Sequence, residues 1–292
     1  MSSRHARSAL LFGGTGAIGA ALLARLLVQD GSVLAISRHP PETDSAQSGV
    51  HWRQGEFARM PELPAQVDVI FSTGPLDHFA RWYAGAAISC QRVVAFGSTS
   101  VDVKHDSPDA EERDLAQRLR AAEQTLFECA GQRAVAATVL RPTLVYGSGQ
   151  DRNLSRIAAL ARRSGFFLLP SDARGLRQPV HVQDLAAAAL AVVDAPASVG
   201  QAYALPGGET LAYDAMVQKL LQAMTPSPRL IRLPAPLFRG AVAAARVLRR
   251  VDGASDMVLA RMRHDLVFDA SAARTDFGYA PREFSPQTMP LP

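Results

Sequence analysis

Lysine is nearly missing from this chain: of 31 basic residues only Lys104 and Lys219 are lysines, and the rest are arginine. Ser100 and Ala215 stand four residues before them, so no tyrosine and lysine share one helix face at i and i+4. Cysteine is also scarce. Cys90 and Cys129 fit no metal or redox spacing and are expected to pack as small apolar residues. The seven histidines are scattered, with no pair at metal-ligand spacing. The longest apolar run, Leu185 to Val193, is too short to span a bilayer. Aromatic content is 7%, and with no nucleic-acid-binding motif DNA and RNA are not expected partners. Arginines precede the first apolar stretch as in a secretory leader, but four glycines interrupt that stretch. The expected location is cytoplasmic.

What is present points to a nucleotide. With 292 residues, 48% of them hydrophobic, the chain can bury a large core as one domain or one domain with a smaller lobe. The apolar run Ala9-Leu10-Leu11-Phe12 leads into Gly13-Gly14-Thr15-Gly16-Ala17-Ile18-Gly19, which opens a helical run. Strand, glycine turn and helix together form a dinucleotide-binding fingerprint. Gly13 allows the tight turn, Gly16 lets the backbone approach a pyrophosphate, and Gly19 permits close helix–strand packing. Thr15, Ala17 and Ile18 complete the cradle, whose N–H groups face the phosphates.

Strands are expected at Ala9–Gly13, Val33–Ser37, Val50–Arg53, Val67–Ser72, Arg92–Gly97 and Ala136–Arg141, and helices at Gly16–Gln29, His78–Ile88 and Glu111–Ala130. That alternation predicts an α/β fold, a doubly wound parallel sheet of Rossmann type with right-handed crossovers. Past Gly147 prolines become frequent. Gln178–Val182 reads as a strand and Gln183–Val193 as a helix returning to the first domain. The expected division is therefore 1–149 plus 178–199 for the dinucleotide-binding domain, and 150–177 plus 200–292 for a smaller C-terminal substrate lobe. Residues 237–250 form an amphipathic, arginine-bearing helical stretch, expected to pack on that lobe or to touch a membrane or partner.

The second strand ends Ser37-Arg38-His39, with no acid before Glu42. An acid there would hold the free ribose hydroxyl of NAD, whereas arginine accommodates the 2′-phosphate of NADP. Ser37 and Arg38 thus predict NADP as cofactor. Glu56 and Phe57 follow the third strand and are expected to line the adenine. Ser72, Thr73 and Gly74 follow the fourth and belong beside the cofactor at the carboxyl edge of the sheet. The net charge is +4, and segment 151–178 alone carries six arginines (152, 156, 162, 163, 174 and 177) against two aspartates. That segment is either a solvated face or a binding surface for an anionic small-molecule substrate such as a phosphate or diphosphate conjugate.

Several separated motifs extend the pattern: Gly97-Ser98-Thr99-Ser100-Val101, Leu140-Arg141-Pro142-Thr143-Leu144-Val145-Tyr146-Gly147, Pro179-Val180-His181-Val182-Gln183-Asp184-Leu185-Ala186 and Tyr203-Ala204-Leu205-Pro206-Gly207-Gly208-Glu209. In that order they make the chain resemble the extended short-chain dehydrogenase/reductases, the NAD(P)-dependent epimerase/dehydratase group. The resemblance implies an oxidoreductase or epimerase/dehydratase in which a serine, a tyrosine and a lysine assist hydride exchange with a nicotinamide. It puts Pro142 beside the cofactor, Ser98 at the catalytic serine, and Leu115 and Leu119 where tyrosine and lysine belong. An atypical member is therefore expected, with Ser98 retained and Lys104 as the candidate replacement. Asp77, His78 and His181 rank behind these as an N-cap, a first-turn residue and a structural residue. The alternative is a non-catalytic NADP-binding protein. The family analogy admits a homodimer.

Overall fold

Residues that alternate or run apolar over four to seven positions form the first sheet. The computed structural model describes residues 7–29, 31–41, 49–149, 151, 153–247 and 261–288. In chain order the first unit contains β1 (Ser8–Phe12), α1 (Ala17–Leu27), β2 (Ser32–Ser37), β3 (Val50–Gln54), β4 (Val69–Ser72), α2 (Leu76–Gly85), β5 (Arg92–Phe96), α3 (Ser100–Val103), α4 (Ala110–Gln132) and β6 (Ala136–Pro142). The second unit contributes β7 (Val145–Tyr146), α5 (Leu154–Ser164), β8 (Phe166–Pro170), β9 (Leu176–Arg177) and β10 (Val180–His181). The chain then returns to the first unit with α6 (Val182–Ala191) and β11 (Gln201–Leu205). It builds β12 (Leu211–Ala212), α7 (Tyr213–Gln222), β13 (Arg229–Leu233) and α8 (Ala235–Val247) in the second, and α9 (Ser271–Phe277) in the first.

The first unit is an α/β fold on a seven-stranded sheet in the order β11-β6-β5-β4-β1-β2-β3, every pair parallel. The order reverses between β1 and β4, so the crevice beyond their carboxyl ends is the topological switch point where such sheets bind ligands. Parallel central strands are covered on both faces, which is why Leu10, Leu11, Ile70, Val93, Val94 and Val139 are all fully or almost fully buried. One face carries α2 and α4, with Phe79, Tyr83, Leu119 and Leu126 in a continuous core beneath them.

Two sequence expectations shift for physical reasons. Helix α2 starts at Leu76, two residues before the expected His78, because Pro75 at its N-cap is already extended and Leu76 is drawn into the core. Residues 201–205, expected in the lobe, pair parallel with β6 from Gln201↔Thr138 to Leu205↔Pro142 and so form the sheet's edge strand. That pairing spans some sixty residues of chain and leaves no local signature.

The second unit comprises 144–181, 206–268 and 281–292. Its core gathers Leu154, Ala158, Ala161, Leu169, Met216, Val217 and Leu220 from α5, β8 and α7. Three two-stranded ribbons complete it: β7 with β10, β9 with β12 and β8 with β13. No helix among the described residues is long and apolar enough to cross a membrane.

Candidate nucleotide site

The switch point is built on Gly13, which takes φ +80° and donates its N–H to the Ile36 carbonyl. Gly16 donates back to the Gly13 carbonyl at 2.9 Å, closing the turn. A Cβ at Gly19 would lie 2.0 Å from that same carbonyl oxygen, so α1 approaches the turn as closely as only glycine permits. Helix α1 has no side-chain cap and no acid in its first turn. The N–H groups of Ala17 and its neighbours are thus presented to an anion by the helix terminus. This is a cradle that fits a pyrophosphate and that any larger residue at Gly19 would fill.

The supports come from elsewhere in the sheet. Thr73 Oγ1 donates to the carbonyls of Phe12 (2.9 Å) and Gly13 (3.1 Å), clasping the turn from the end of β4. Thr15 Oγ1 and Ser37 Oγ are 2.9 Å apart, and Ser37 Oγ also accepts the His39 N–H. Ser37 thereby ties the glycine turn to the end of β2. The backbone of Arg38 is held by Gln54 Nε2 donating to its carbonyl, and the residue is exposed. Glu56 is exposed and closes a tight turn with Arg59. Phe57 packs with Phe12, Phe79 and Trp82 in an aromatic cluster, its ring against Gly74. Ser72 is fully buried, and its hydroxyl has no hydrogen-bond partner among the described residues.

Beyond β5, Ser98 Oγ donates to Ser100 Oγ at 3.0 Å and accepts the Ser100 N–H at 3.1 Å. Thr99 bonds the Pro142 carbonyl through both its N–H and its hydroxyl. These contacts fasten the serine loop to the end of β6. Arg141, from the same strand end, forks onto Glu123 of α4 (Nε to Oε1 2.8 Å) and reaches Asp102 of α3 at 3.1 Å. Glu123 is 5% exposed, so the pair is a buried clamp joining β6, α3 and α4. Sequence reading missed it, because its three members lie 18 and 39 residues apart.

Leu119 is buried in the α2–α4 core. Leu115 is half-buried and lines an open groove of about 490 Å³ with Ala110, Glu111, Asp114 and Arg118. Lys104 Nζ pairs with Glu112 at 3.1 Å, which accounts for it as a tie between the loop and the start of α4. Asp77 pairs with Arg118 at 2.9 Å. Burial pushes its carboxyl up, but Arg118 and the His78 N–H pull it further down, so it stays ionised at neutral pH.

In the second unit the arginine segment divides. Arg177 is buried and donates to the carbonyls of Leu176 (2.6 Å), His264 (2.7 Å) and Arg261, so this member organises a loop and is no surface cation. Arg156, Arg162, Arg163 and Arg174 are exposed. Arg152 lies outside the described residues. His181 is buried against the Tyr146 ring. No cluster of metal-ligating side chains occurs among the described residues.

Residues 86–205 match the NAD dependent epimerase/dehydratase family. Among curated proteins, the chain is 32% identical over 111 residues to the mitochondrial NADH dehydrogenase [ubiquinone] 1 alpha subcomplex subunit 9 of Arabidopsis thaliana, covering 38% of this chain and 27% of that one. It is 24% identical over 186 residues to the UDP-glucose 4-epimerase of Vibrio cholerae, covering 64% and 53%. The chain thus spans about a quarter and about half the length of these relatives. Among solved structures, the UDP-glucuronic acid 4-epimerase of Bacillus cereus in complex with NAD superposes with a TM-score of 0.71 at 14% identity, over 96% of this chain and 93% of the other.

Proposed function

From the match of residues 86–205 to the NAD dependent epimerase/dehydratase family, we propose that the chain belongs to that family and is an NADP-binding oxidoreductase or epimerase/dehydratase-type enzyme working without a Tyr-x-x-x-Lys pair. Its substrate is an anionic small molecule of phosphate or nucleotide-sugar type, the class named for the epimerases it is similar to. Its location is cytoplasmic. The observation that carries the reading is the glycine cradle clasped by Thr73 at the switch between β1 and β4.

Gly13, Thr15, Gly16, Ala17, Ile18 and Gly19 hold the pyrophosphate, Arg38 meets a 2′-phosphate, and Gly74 and Pro142 border the dinucleotide, while Ser72, expected beside the cofactor, is fully buried and supports that edge from within the core. When bound, the nicotinamide supplies the hydride donor or acceptor. Ser98 Oγ, freed from Ser100, hydrogen-bonds the substrate oxygen. Neither Leu115 nor Leu119 can exchange its proton, so that proton passes between the substrate oxygen and water. The loss of acid–base help costs about two to four decades in rate, and the expected turnover is slow.

A second reading, in which NADP is held without turnover, is favoured by Leu119 in the core and by Lys104 engaged with Glu112. The two separate on one experiment: purified protein with NADP+, the oxidised form that can take a hydride from a sugar hydroxyl, and a panel of UDP-sugars, followed by cofactor absorbance and product chromatography. Slow conversion that falls at least tenfold in Ser98→Ala supports the enzyme. Tight NADP+ binding with no conversion in either protein would leave only the second reading.

A further inference from the structure

Charge is divided unequally along the fold. The second unit contains 16 basic against 8 acidic residues, a net +8, while the rest of the chain has 15 against 19. Exposed apolar side chains concentrate in the same unit. Of eight large hydrophobic residues exposed among those described, Leu160, Phe166, Ile231 and Leu237 belong to α5, β8, β13 and α8.

These elements are contiguous. Strand β13 runs parallel to β8 with Arg229 opposite Phe166 and Ile231 opposite Leu168. Phe167 and Leu230 pack on the unit's core, so strand alternation turns Phe166, Arg229 and Ile231 to the other side. Helix α8 packs on β8 with Phe238 buried and Leu237 62% exposed. Helix α5 packs on the core side of the ribbon through Leu154, Ala158 and Ala161 and ends just before β8, so only its last turn, with Arg162 and Arg163 exposed, adjoins the ribbon's edge. Single exposed apolar residues need no explanation, but an apolar set rimmed by arginine on a strongly basic unit does.

We infer that this face of the second unit is a docking surface for an anionic lipid bilayer. Charge complementarity selects the partner: arginines around the patch meet lipid phosphates and carboxylates, and Phe166, Ile231 and Leu237 enter the headgroup boundary. A nucleic acid would use the arginines and leave the aliphatic side chains without a role. The attachment is peripheral. It is independent of the cofactor site and holds whether or not the protein turns a substrate over.

The test is flotation of the full chain with vesicles of phosphatidylcholine alone or with 30% phosphatidylglycerol. Binding to the anionic vesicles only, weakened at high salt, is expected. Leu237→Glu is expected to lose it at least tenfold, and the double variant Arg163→Glu, Arg229→Glu still further, with unchanged melting and NADPH affinity. The double variant alters only exposed positions and keeps the test decisive should Leu237→Glu fold poorly. Failure to bind anionic vesicles, equal binding to neutral ones, or binding of an RNA oligonucleotide that competes with vesicles and is unaffected by Leu237→Glu would each overturn the inference.

Discussion

Gly19 shows how closely a single position specifies the nucleotide crevice. A methyl there meets the Gly13 carbonyl oxygen at 2.0 Å. Backbone atoms cannot swing aside, so Gly19→Ala should cost roughly 1–3 kcal/mol of stability, read from urea unfolding, and abolish dinucleotide binding. Arg38 acts differently, through charge on an exposed side chain. Arg38→Ala should weaken NADPH about tenfold while leaving NADH nearly unchanged, measured by calorimetric titration; equal loss for both would remove the NADP assignment. Tyr83 reports on the core instead. Burial pushes its phenol up to about 12. The unfolded phenol ionises near 10, so the folded state is favoured below that pH and loses on the order of 2 kcal/mol as pH rises through 12. Melting temperature should fall between pH 10 and 12 in the native chain, and Tyr83→Phe should remove that part of the fall. The glycine turn is legible in the sequence because its signal is local. The clasp that Thr73 puts on that turn is not legible, because its hydroxyl reaches the Phe12 and Gly13 carbonyls from sixty residues away.

Among elements, α4 carries the clearest consequence. Asp109 caps it by accepting the Glu111 N–H at 2.9 Å, and Asp109→Ala should cost about 1 kcal/mol. Farther along, Glu123 receives Arg141 in the buried clamp beneath the serine loop. Replacing Glu123 with glutamine leaves the guanidinium with Asp102 alone and is expected to lower stability by about 2 kcal/mol, seen as an earlier thermal transition. Apolar periodicity located the strands of the first half to within two residues, since parallel strands buried on both faces read as apolar runs. Ribbons such as β7 with β10 were not legible as pairs, because two-residue strands are defined by partners about 35 residues away. The length of α4 is legible to two residues at either end, as its apolar stripe lies within it.

For the whole molecule, one sheet carries the glycine crevice and one unit carries the excess of positive charge. Net charge was readable from sequence, but its concentration in the second unit required knowing that 182–205 and 269–280 return to the first. A homodimer is admitted by the family analogy, and sedimentation with and without NADP would read it. The central claim, that the turn between β1 and α1 holds an NADP pyrophosphate, is tested most directly by calorimetric titration of the purified chain with NADPH. Saturable binding at one site per chain, tighter than for NADH and absent in Gly19→Ala, is the predicted result. A native chain that folds cooperatively yet takes up neither dinucleotide at millimolar concentration would contradict it.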